Sequence, residues 1–245
     1  RNAKKRAGNK LYFGHTQVLI INQEIARTED IGSVLDWFWR DGECRETVYV
    51  AISQEETAAD ILDLEGIDQS VISIKIQKLL QGDNAITSSA PAVELYTTFE
   101  TLNSQGKELV LPALRKVISK DVRTCELNGL AVFKGERLLG FLSPLETKYY
   151  LFVMDAVKGG LLPFSSHGAG RADATLEIHK NKTRLSLCRA GPAPRILVKS
   201  ETTAFLDEYM PVRVELKEPR VIELEAMAAR KLQADIRAAM ASSSI

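Results

Sequence analysis

The sequence has no long apolar run. Its 245 residues include no stretch of 18 apolar residues, the length that a helix needs to cross a bilayer. No signal peptide is visible, yet the first residue is Arg rather than Met, and Arg1–Ala7 offers no N-cap for the helix that it predicts. We therefore expect a fragment whose first helix began upstream of Arg1.

Histidine and cysteine are scarce, with three of each. They form no CxxC pair and no HExxH pattern, so the common zinc sites and thioredoxin-type chemistry are not predicted. An odd number of cysteines also argues against a disulfide framework. No EF-hand loop and no nucleic-acid-binding motif is present. The sequence therefore predicts no metal, no cofactor and no nucleic-acid partner.

The chain has no excess of either charge, because Lys and Arg total 32 and Asp and Glu total 32. No overall field therefore attracts it to nucleic acid or to an anionic membrane. The charge is less even locally. Five basic residues crowd the first ten positions, and we interpret them as the solvated face of a helix. They are Arg1, Lys4, Lys5, Arg6 and Lys10.

The first third of the chain alternates between strand and helix patterns. Apolar runs at Thr16–Asn22 and Thr47–Ser53 are typical of buried strands. Between them, a helix from Asp30 to about Arg40 has an apolar stripe that Trp37 and Trp39 flank. We interpret the two tryptophans as core or edge packing, with a contact surface as the alternative.

The middle of the chain contains a polar segment and then strands. The segment Gly82–Pro91 predicts a loop. Leu109–Leu111 predicts a short strand that Pro112 ends. Val122–Phe133 and Leu138–Leu142 predict a hairpin around a Lys-Gly-Glu-Arg turn.

A helix start gives the clearest local signal. Ser143 suits the N-cap, Pro144 the first helical position and Glu146 the third, which together predict a capping box. We expect this helix to run from Pro144 to about Val157, with Gly159 as its left-handed C′ residue.

The last part of the chain predicts strands. Ala174–His179 and Thr183–Cys188 alternate with period two around a predicted turn at Lys180–Lys182. Further strands are predicted at Arg195–Ser200 and Val212–Leu216.

One long helix then closes the chain, starting at Pro219 and running from Arg220 to about Ala241. It carries a regular apolar stripe, which needs a sheet to cover it, so we expect further strands downstream. The stripe consists of Leu224, Ala228, Leu232, Ile236 and Met240.

These elements predict an α+β protein of more than one domain. We expect a mixed sheet with helices in residues 1–121 and a small hairpin-plus-helix domain in residues 122–165. An antiparallel sheet with a long helix fills residues 166–245 in this prediction.

One segment hints at catalysis. Ser166 stands beside His167 within Ser165–Arg171, as a nucleophile could stand beside its base. However, residues adjacent in sequence rarely have triad geometry, and no GxSxG elbow is present. We interpret the segment as an inter-domain or hairpin loop and predict no catalytic, cofactor-binding or metal-binding residues.

Two segments resemble the C-subunit lipoproteins of spore germinant receptors. The first is Arg6–Ile21, in which Lys-Leu-Tyr-Phe-Gly-His precedes a strand. The second is Leu127–Lys134, which contains Gly-Leu-Ala-Val-Phe and is followed by Leu138–Ser143 and the capped helix. The Lys158–Gly160 turn also has a counterpart in that family.

The resemblance implies a role rather than a chemistry. Members of this family carry a lipid-modified cysteine and lie on the outer face of the spore inner membrane, beside the integral-membrane A and B subunits. The resemblance implies three α+β domains and no established catalytic residues. It also implies that the lipidated cysteine lies upstream of this chain, and that the first strands and the last strands of the third domain are missing. None of Cys44, Cys125 and Cys188 is expected to be the anchor.

Three functions are compatible with the sequence. The leading hypothesis is a non-enzymatic, lipid-anchored receptor subunit that acts by binding partner proteins. The second is a protein that binds the germinant as a small molecule, and the third is a hydrolase using Ser166 or His167. An enzyme should have a polar cleft with convergent titratable groups, whereas a partner-binding subunit should have an apolar patch with a polar rim.

Overall fold

The chain forms two compact units, residues 1–80 with 92–141 and residues 81–91 with 142–245. Within the described residues, the first unit holds a five-stranded sheet and the second a three-stranded sheet. This architecture confirms the α+β class. The predicted domain limits near Asp121 and Ser165 stay a prediction. The computed structural model describes residues 13–40, 42–64, 71–86, 90–119, 122–165, 171–189, 194–209 and 218–242.

Five strands form the sheet of the first unit: β1 (Val18–Asn22), β2 (Tyr49–Ser53), β3 (Val110–Ser119), β4 (Val122–Lys134) and β5 (Arg137–Leu142). They lie in sequence order, with β1, β2 and β3 parallel and β4 antiparallel to β3. Leu19 and Ile21 enter one apolar cluster, and Val18 and Ala51 enter another. The parallel strands are therefore buried on both faces, which explains their continuous apolar runs.

The helices of the first unit include the one predicted around Trp37. In that helix Ile31 and Leu35 are fully buried, and Val34 and Phe38 pack against the same core, which confirms the stripe. The helices are α1 (Gln23–Thr28), α2 (Ile31–Arg40), α3 (Ala59–Leu62), α4 (Ile72–Ile86) and α5 (Leu95–Leu102).

Two local predictions in this region were wrong. The predicted loop Gly82–Pro91 begins as helix, because α4 continues to Ile86; one internal glycine costs only about 1 kcal/mol. Pro112 does not end a strand either. It lies inside β3 at a register shift against β4, where the missing amide proton of proline is tolerated.

Three antiparallel strands form the sheet of the second unit: β6 (Gly160–Phe164), β7 (Ala174–Cys188) and β8 (Arg195–Tyr209), with β7 in the centre. The predicted turn at Lys180–Lys182 was wrong, because β7 is one continuous strand of 15 residues. The register instead shifts between Ile178 and Lys180, so that His179 is the extra residue of a β-bulge. The strand predicted at Val212–Leu216 lies outside the described residues.

Two helices belong to the second unit, α6 (Pro144–Val153) and α7 (Glu218–Ser242). The capping box of α6 is confirmed: the Ser143 hydroxyl accepts from the Glu146 amide, and the Glu146 carboxylate accepts from the Ser143 amide. The helix ends earlier than predicted, because Asp155 and not Gly159 takes the left-handed backbone, with φ 56°.

The stripe of α7 is covered by the sheet that precedes it in the chain. Leu224, Ala228 and Leu232 are buried against residues of β6, β7 and α6. The idea that these positions need downstream strands was therefore wrong. The stripe is less covered toward its end, where Met240 is 49% exposed.

Candidate interaction surfaces

The carboxyl ends of β1 and β2 are where an open α/β sheet usually holds a ligand. Here the polar side chains at that edge hold the following loop. The side-chain amide of Asn22 donates to the backbone carbonyl oxygens of Glu55 and Glu56. Its Oδ1 accepts from the backbone amide of Glu24. The Ser53 hydroxyl accepts from the Glu55 amide. These hydrogen bonds give the side chains a structural role.

In the described part of the chain, no three or more His, Cys, Asp or Glu side chains form a cluster suitable for a metal ion. His15 is exposed, and His179 lies edge-on to Phe205 with ring centroids 4.9 Å apart. Ser166 and His167 lie outside the described residues.

The three cysteines are not joined to one another by disulfides. Cys125 is buried, and this burial raises the pKa of its thiol. Cys188 is exposed near the end of β7.

The β7–β8 pair forms a long two-stranded arm, of which the distal part comprises residues 183–188 and 195–200. The bulge at His179 reverses the alternation of β7, so Leu176 and Ile178 share a face with Leu185 and Leu187. We call this the inner face, because its first part packs under α6 and α7. The sequence alone shows this change of phase, but a turn would produce the same pattern.

A belt of polar side chains crosses the inner face between its buried and exposed parts. At its centre lies Asn181, which is 9% exposed and whose Oδ1 accepts from the hydroxyls of Ser200 (2.8 Å) and Thr202 (2.9 Å). The Thr183 hydroxyl donates to the Phe152 carbonyl oxygen at 2.6 Å. The Thr183 amide donates to Asp155 Oδ1 at 2.7 Å. The belt therefore ties the arm to the end of α6.

Beyond the belt, the inner face of the arm is apolar and exposed. Leu185, Leu187 and Ile196 are 51%, 56% and 66% exposed. We call these three residues the arm tip. A groove of about 960 Å³ runs between β8 and α7, lined by Ile196 and Val198 on one side and by Ile236 and Met240 on the other. Lys199, Arg230 and Arg237 also line it.

The wall that α7 gives to this groove is held by α6. The Tyr149 hydroxyl donates to Asp235 Oδ2 at 2.7 Å, and Lys231 Nζ lies 2.7 Å from the same oxygen. Burial, followed by the hydrogen bond to Asp235 and its charge, strongly raises the pKa of Tyr149. The hydrogen bond therefore joins α6 to the α7 side of the groove.

The first unit has a second apolar area, in which Ile25 and Trp37 are exposed and Phe13, Val34 and Phe38 are half-buried. We call these five residues the aromatic surface. The Trp37 ring meets Phe13 and Phe38 edge-to-face, with centroids 5.0 and 4.9 Å apart. Ile25, Val34 and Phe38 line a shallow groove beside them. Trp37 is 52% exposed and Ile25 is 45% exposed. The alternative interpretation of Trp37 as part of a contact surface therefore fits its position.

Trp39 has a different environment. Its ring packs on Phe99 of α5, with centroids 4.8 Å apart, and it is 37% exposed. The interpretation as edge packing therefore holds for this tryptophan.

No helix among the described residues combines the length and apolar content that crossing a bilayer requires.

Comparison with known proteins gives a consistent result along the chain. Residues 1–116 match the family described as "Spore germination protein N-terminal domain", and residues 128–244 match the one described as "Spore germination B3/ GerAC like, C-terminal". The chain is 23% identical over 240 residues to "Spore germination protein B3" of Bacillus subtilis, covering 94% of this chain and 60% of that protein. It is 22% identical over 232 residues to "Spore germination protein GerQC" of Bacillus cereus, covering 94% and 62%.

A solved structure shares the fold. The crystal structure of the GerBC protein matches with a TM-score of 0.64 and 20% identity, over 95% of this chain and 65% of that one. The chain therefore spans about 60% of the length of the curated relatives described above.

Proposed function

Because this chain belongs to the GerAC family of spore germination proteins, we propose that it is a non-enzymatic subunit of a spore germinant receptor. It acts by binding the integral-membrane A and B subunits of that receptor. It is held at the outer face of the spore inner membrane by a lipid on a cysteine upstream of Arg1. None of Cys44, Cys125 and Cys188 is this anchor, because all three lie within the two folded units.

The observation that supports binding to a protein partner most directly is the exposed apolar arm tip. Covering a half-exposed leucine or isoleucine contributes about 1 kcal/mol, half of the value for complete burial. The polar belt lies next to it, so the apolar area has a polar border of the kind found at protein interfaces.

The geometry of β8 favours a particular way of binding. In the described sheet β8 is an edge strand, and α7 forms a wall beside it. An extended segment of a partner could hydrogen-bond to this edge and place apolar side chains against Ile196, Val198 and Ile236. This is the strand-addition mode of recognition, in which the main chain supplies affinity and side-chain pockets supply specificity.

Substitutions at the arm tip test the proposal in the full-length protein. We expect the double variant Leu187→Asp/Ile196→Asp to slow germinant-triggered germination at least tenfold, because two charges would have to be desolvated at the interface. The matched control is Leu161→Asp, since Leu161 is 52% exposed on β6 of the same unit.

Three measurements are needed: the rate of germination, the amount of the protein in spores, and crosslinking from Cys substituted at position 185 to neighbouring proteins. Normal germination of the double variant at a normal protein level would overturn the proposal. So would an equal defect in the Leu161→Asp control.

A second candidate function is direct binding of a small germinant in the groove between β8 and α7. It is favoured by Arg230 and Arg237, which line the groove and can pair with a ligand carboxylate. Lys199 also lines the groove but already pairs with Glu201 at 3.1 Å. A ligand that binds the folded chain raises its melting temperature, and the stabilisation grows with the logarithm of the ratio of ligand concentration to Kd. Thermal melting in the presence of amino-acid germinants should then show a shift that Arg230→Ala/Arg237→Ala abolishes.

A further inference from the structure

The β7–β8 arm has different chemistry on its two faces. Strand alternation places the residues between those of the inner face on the opposite side of the sheet, which we call the outer face. Across it, Lys182 pairs with Glu201 and Arg184 pairs with Lys199. All four side chains are exposed. The arm is therefore aliphatic on one side of its distal part and charged on the other.

The charge of the outer face is strongly one-sided, although the chain as a whole is neutral. Within positions 180–188 and 195–203, the residues of this face include five cations and one carboxylate, that of Glu201. The cations are Lys180, Lys182, Arg184, Arg195 and Lys199.

The cations are close together and share one carboxylate. Arg184 and Lys199 are directly opposite each other, so their Cβ atoms lie about 5 Å apart, and like charges in this position destabilise a sheet. Glu201 pairs with Lys199 at 3.1 Å. The hydrogen bond and the charge of Lys199 lower the pKa of Glu201 most, and the charges of Arg184 and Lys182 lower it further. Additional carboxylates beside these cations would therefore be stabilised.

From this arrangement, we propose that the outer face of the arm binds an acidic surface of the same protein partner that covers the arm tip. The partner encloses the arm in a cleft, with an apolar wall against the arm tip and with Asp or Glu side chains beside Lys182 and Arg184. The inference rests on the proposed function, because it takes the arm to bind a protein, and it adds the chemistry of that partner. Charge complementarity of this kind raises the rate and the specificity of association.

An acidic protein fits the two faces better than an anionic bilayer does. The aliphatic and the cationic side chains point to opposite sides of a two-stranded ribbon. A flat lipid surface that takes up the leucines therefore leaves the cations pointing toward water. A cleft in a protein contacts both faces at once.

Neighbouring positions on the two faces make a direct test possible. Leu185 lies on the inner face, and Ser186 lies on the outer face, where it pairs with Leu197. In the full-length protein with Cys188→Ser, which removes the exposed thiol, either Leu185→Cys or Ser186→Cys is labelled with a benzophenone maleimide in spore membranes and irradiated. We expect both positions to link to the same protein. The link from position 186 should map to a peptide with several Asp or Glu residues.

Charge variants of the full-length protein measure what the outer face contributes. We expect Lys182→Glu/Arg184→Glu to slow germination at least fivefold and Lys182→Gln/Arg184→Gln to slow it at least twofold. The glutamine variant removes one favourable and one unfavourable cross-strand pair, so it should keep the melting temperature of the unchanged protein. Lys182→Arg/Arg184→Lys keeps both charges and should germinate normally. The matched control is Lys107→Glu/Lys134→Glu, which changes the net charge equally at exposed positions of the first unit and should have no effect.

Three results would overturn the inference. These are normal germination of the glutamate variant at a normal protein level, a link from position 185 without one from position 186, and binding to phosphatidylglycerol vesicles that needs Lys182 and Arg184. The second result would leave the receptor proposal standing, because the arm would then bind its partner through one face. Absence of both links, together with normal germination of the arm-tip variant, would refute the receptor proposal as well.

Discussion

The carboxylate of Asp155 joins the end of α6 to the β7–β8 arm. The amides of Asp155 and Ala156 donate to the carbonyl oxygens of Phe152 and Leu151, which is the hydrogen-bond pattern of a Schellman motif. Asp155 takes the left-handed position that glycine usually occupies, with φ 56°. In return its Oδ1 accepts from the Thr183 amide at 2.7 Å. The residue therefore ends a helix and positions a strand.

This double role leads to a prediction at the scale of one residue. Asp155→Ala removes the acceptor and leaves a residue that disfavours φ > 0, so the free energy of unfolding should fall by about 1–2 kcal/mol. Asp155→Asn keeps an acceptor and tolerates the left-handed backbone, so it should cost less than half as much. Urea unfolding of the two variants measures the difference, and equal losses would contradict the assigned role.

The elements that could be predicted from the sequence are those whose signal is local. The capping box of α6 needs only Ser143 and Glu146, and the stripe of α7 needs only a period of 3.6 residues. Both were confirmed. The β4–β5 hairpin was also confirmed, since its turn residues separate two strand patterns.

The features that could not be predicted are those for which one sequence pattern is compatible with two structures. The change of phase after Ile178 can be produced by a turn or by a bulge, and only pairing with β8 decides between them. Asp155 and Gly159 could both take a left-handed C′ position. The arm tip could not be found either, because its leucines have the same alternation as buried ones.

The bulge gives a prediction at the scale of the element. Deleting His179 should give β7 unbroken alternation and leave Asn181, Thr183, Leu185 and Leu187 on the inner face, because Lys180 then follows Ile178 directly. The belt should therefore be kept, and the free energy of unfolding should fall by less than about 1 kcal/mol, the value of one hydrogen bond.

The matched control for the deletion is His179→Ala. It keeps the bulge and loses only the edge contact with Phe205, so it should cost less than about 1 kcal/mol. Urea unfolding followed by circular dichroism compares the two. Both variants should be nearly as stable as the unchanged chain, and a loss of about 2–4 kcal/mol in the deletion variant alone would mean that the extra residue does not set the faces of the arm.

At the scale of the whole molecule, the two units offer surfaces of different chemistry. The arm tip of the second unit is aliphatic and has a polar border, and the aromatic surface of the first unit is built around the edge-to-face rings of Phe13, Trp37 and Phe38. If a lipid anchor holds the protein at the membrane, both surfaces meet their partners at a raised effective concentration. Modest contact areas are then sufficient.

The remaining alternative, a hydrolase using Ser166 and His167, is also decided at this scale, because catalysis would make germination depend on these two residues. We expect spores with Ser166→Ala/His167→Ala in the full-length protein to germinate at the normal rate. The segment has no nucleophile elbow, and neighbouring residues rarely reach triad geometry. Removing a triad member usually lowers turnover by several orders of magnitude, so a catalytic role could not be missed.

The arm-tip variant, assayed in the same strain, is the comparison: its spores should germinate slowly although the protein is present at a normal level. Loss of germination in the Ser166/His167 variant, with normal protein level and normal arm-tip crosslinks, would contradict the receptor-subunit proposal and support an enzyme.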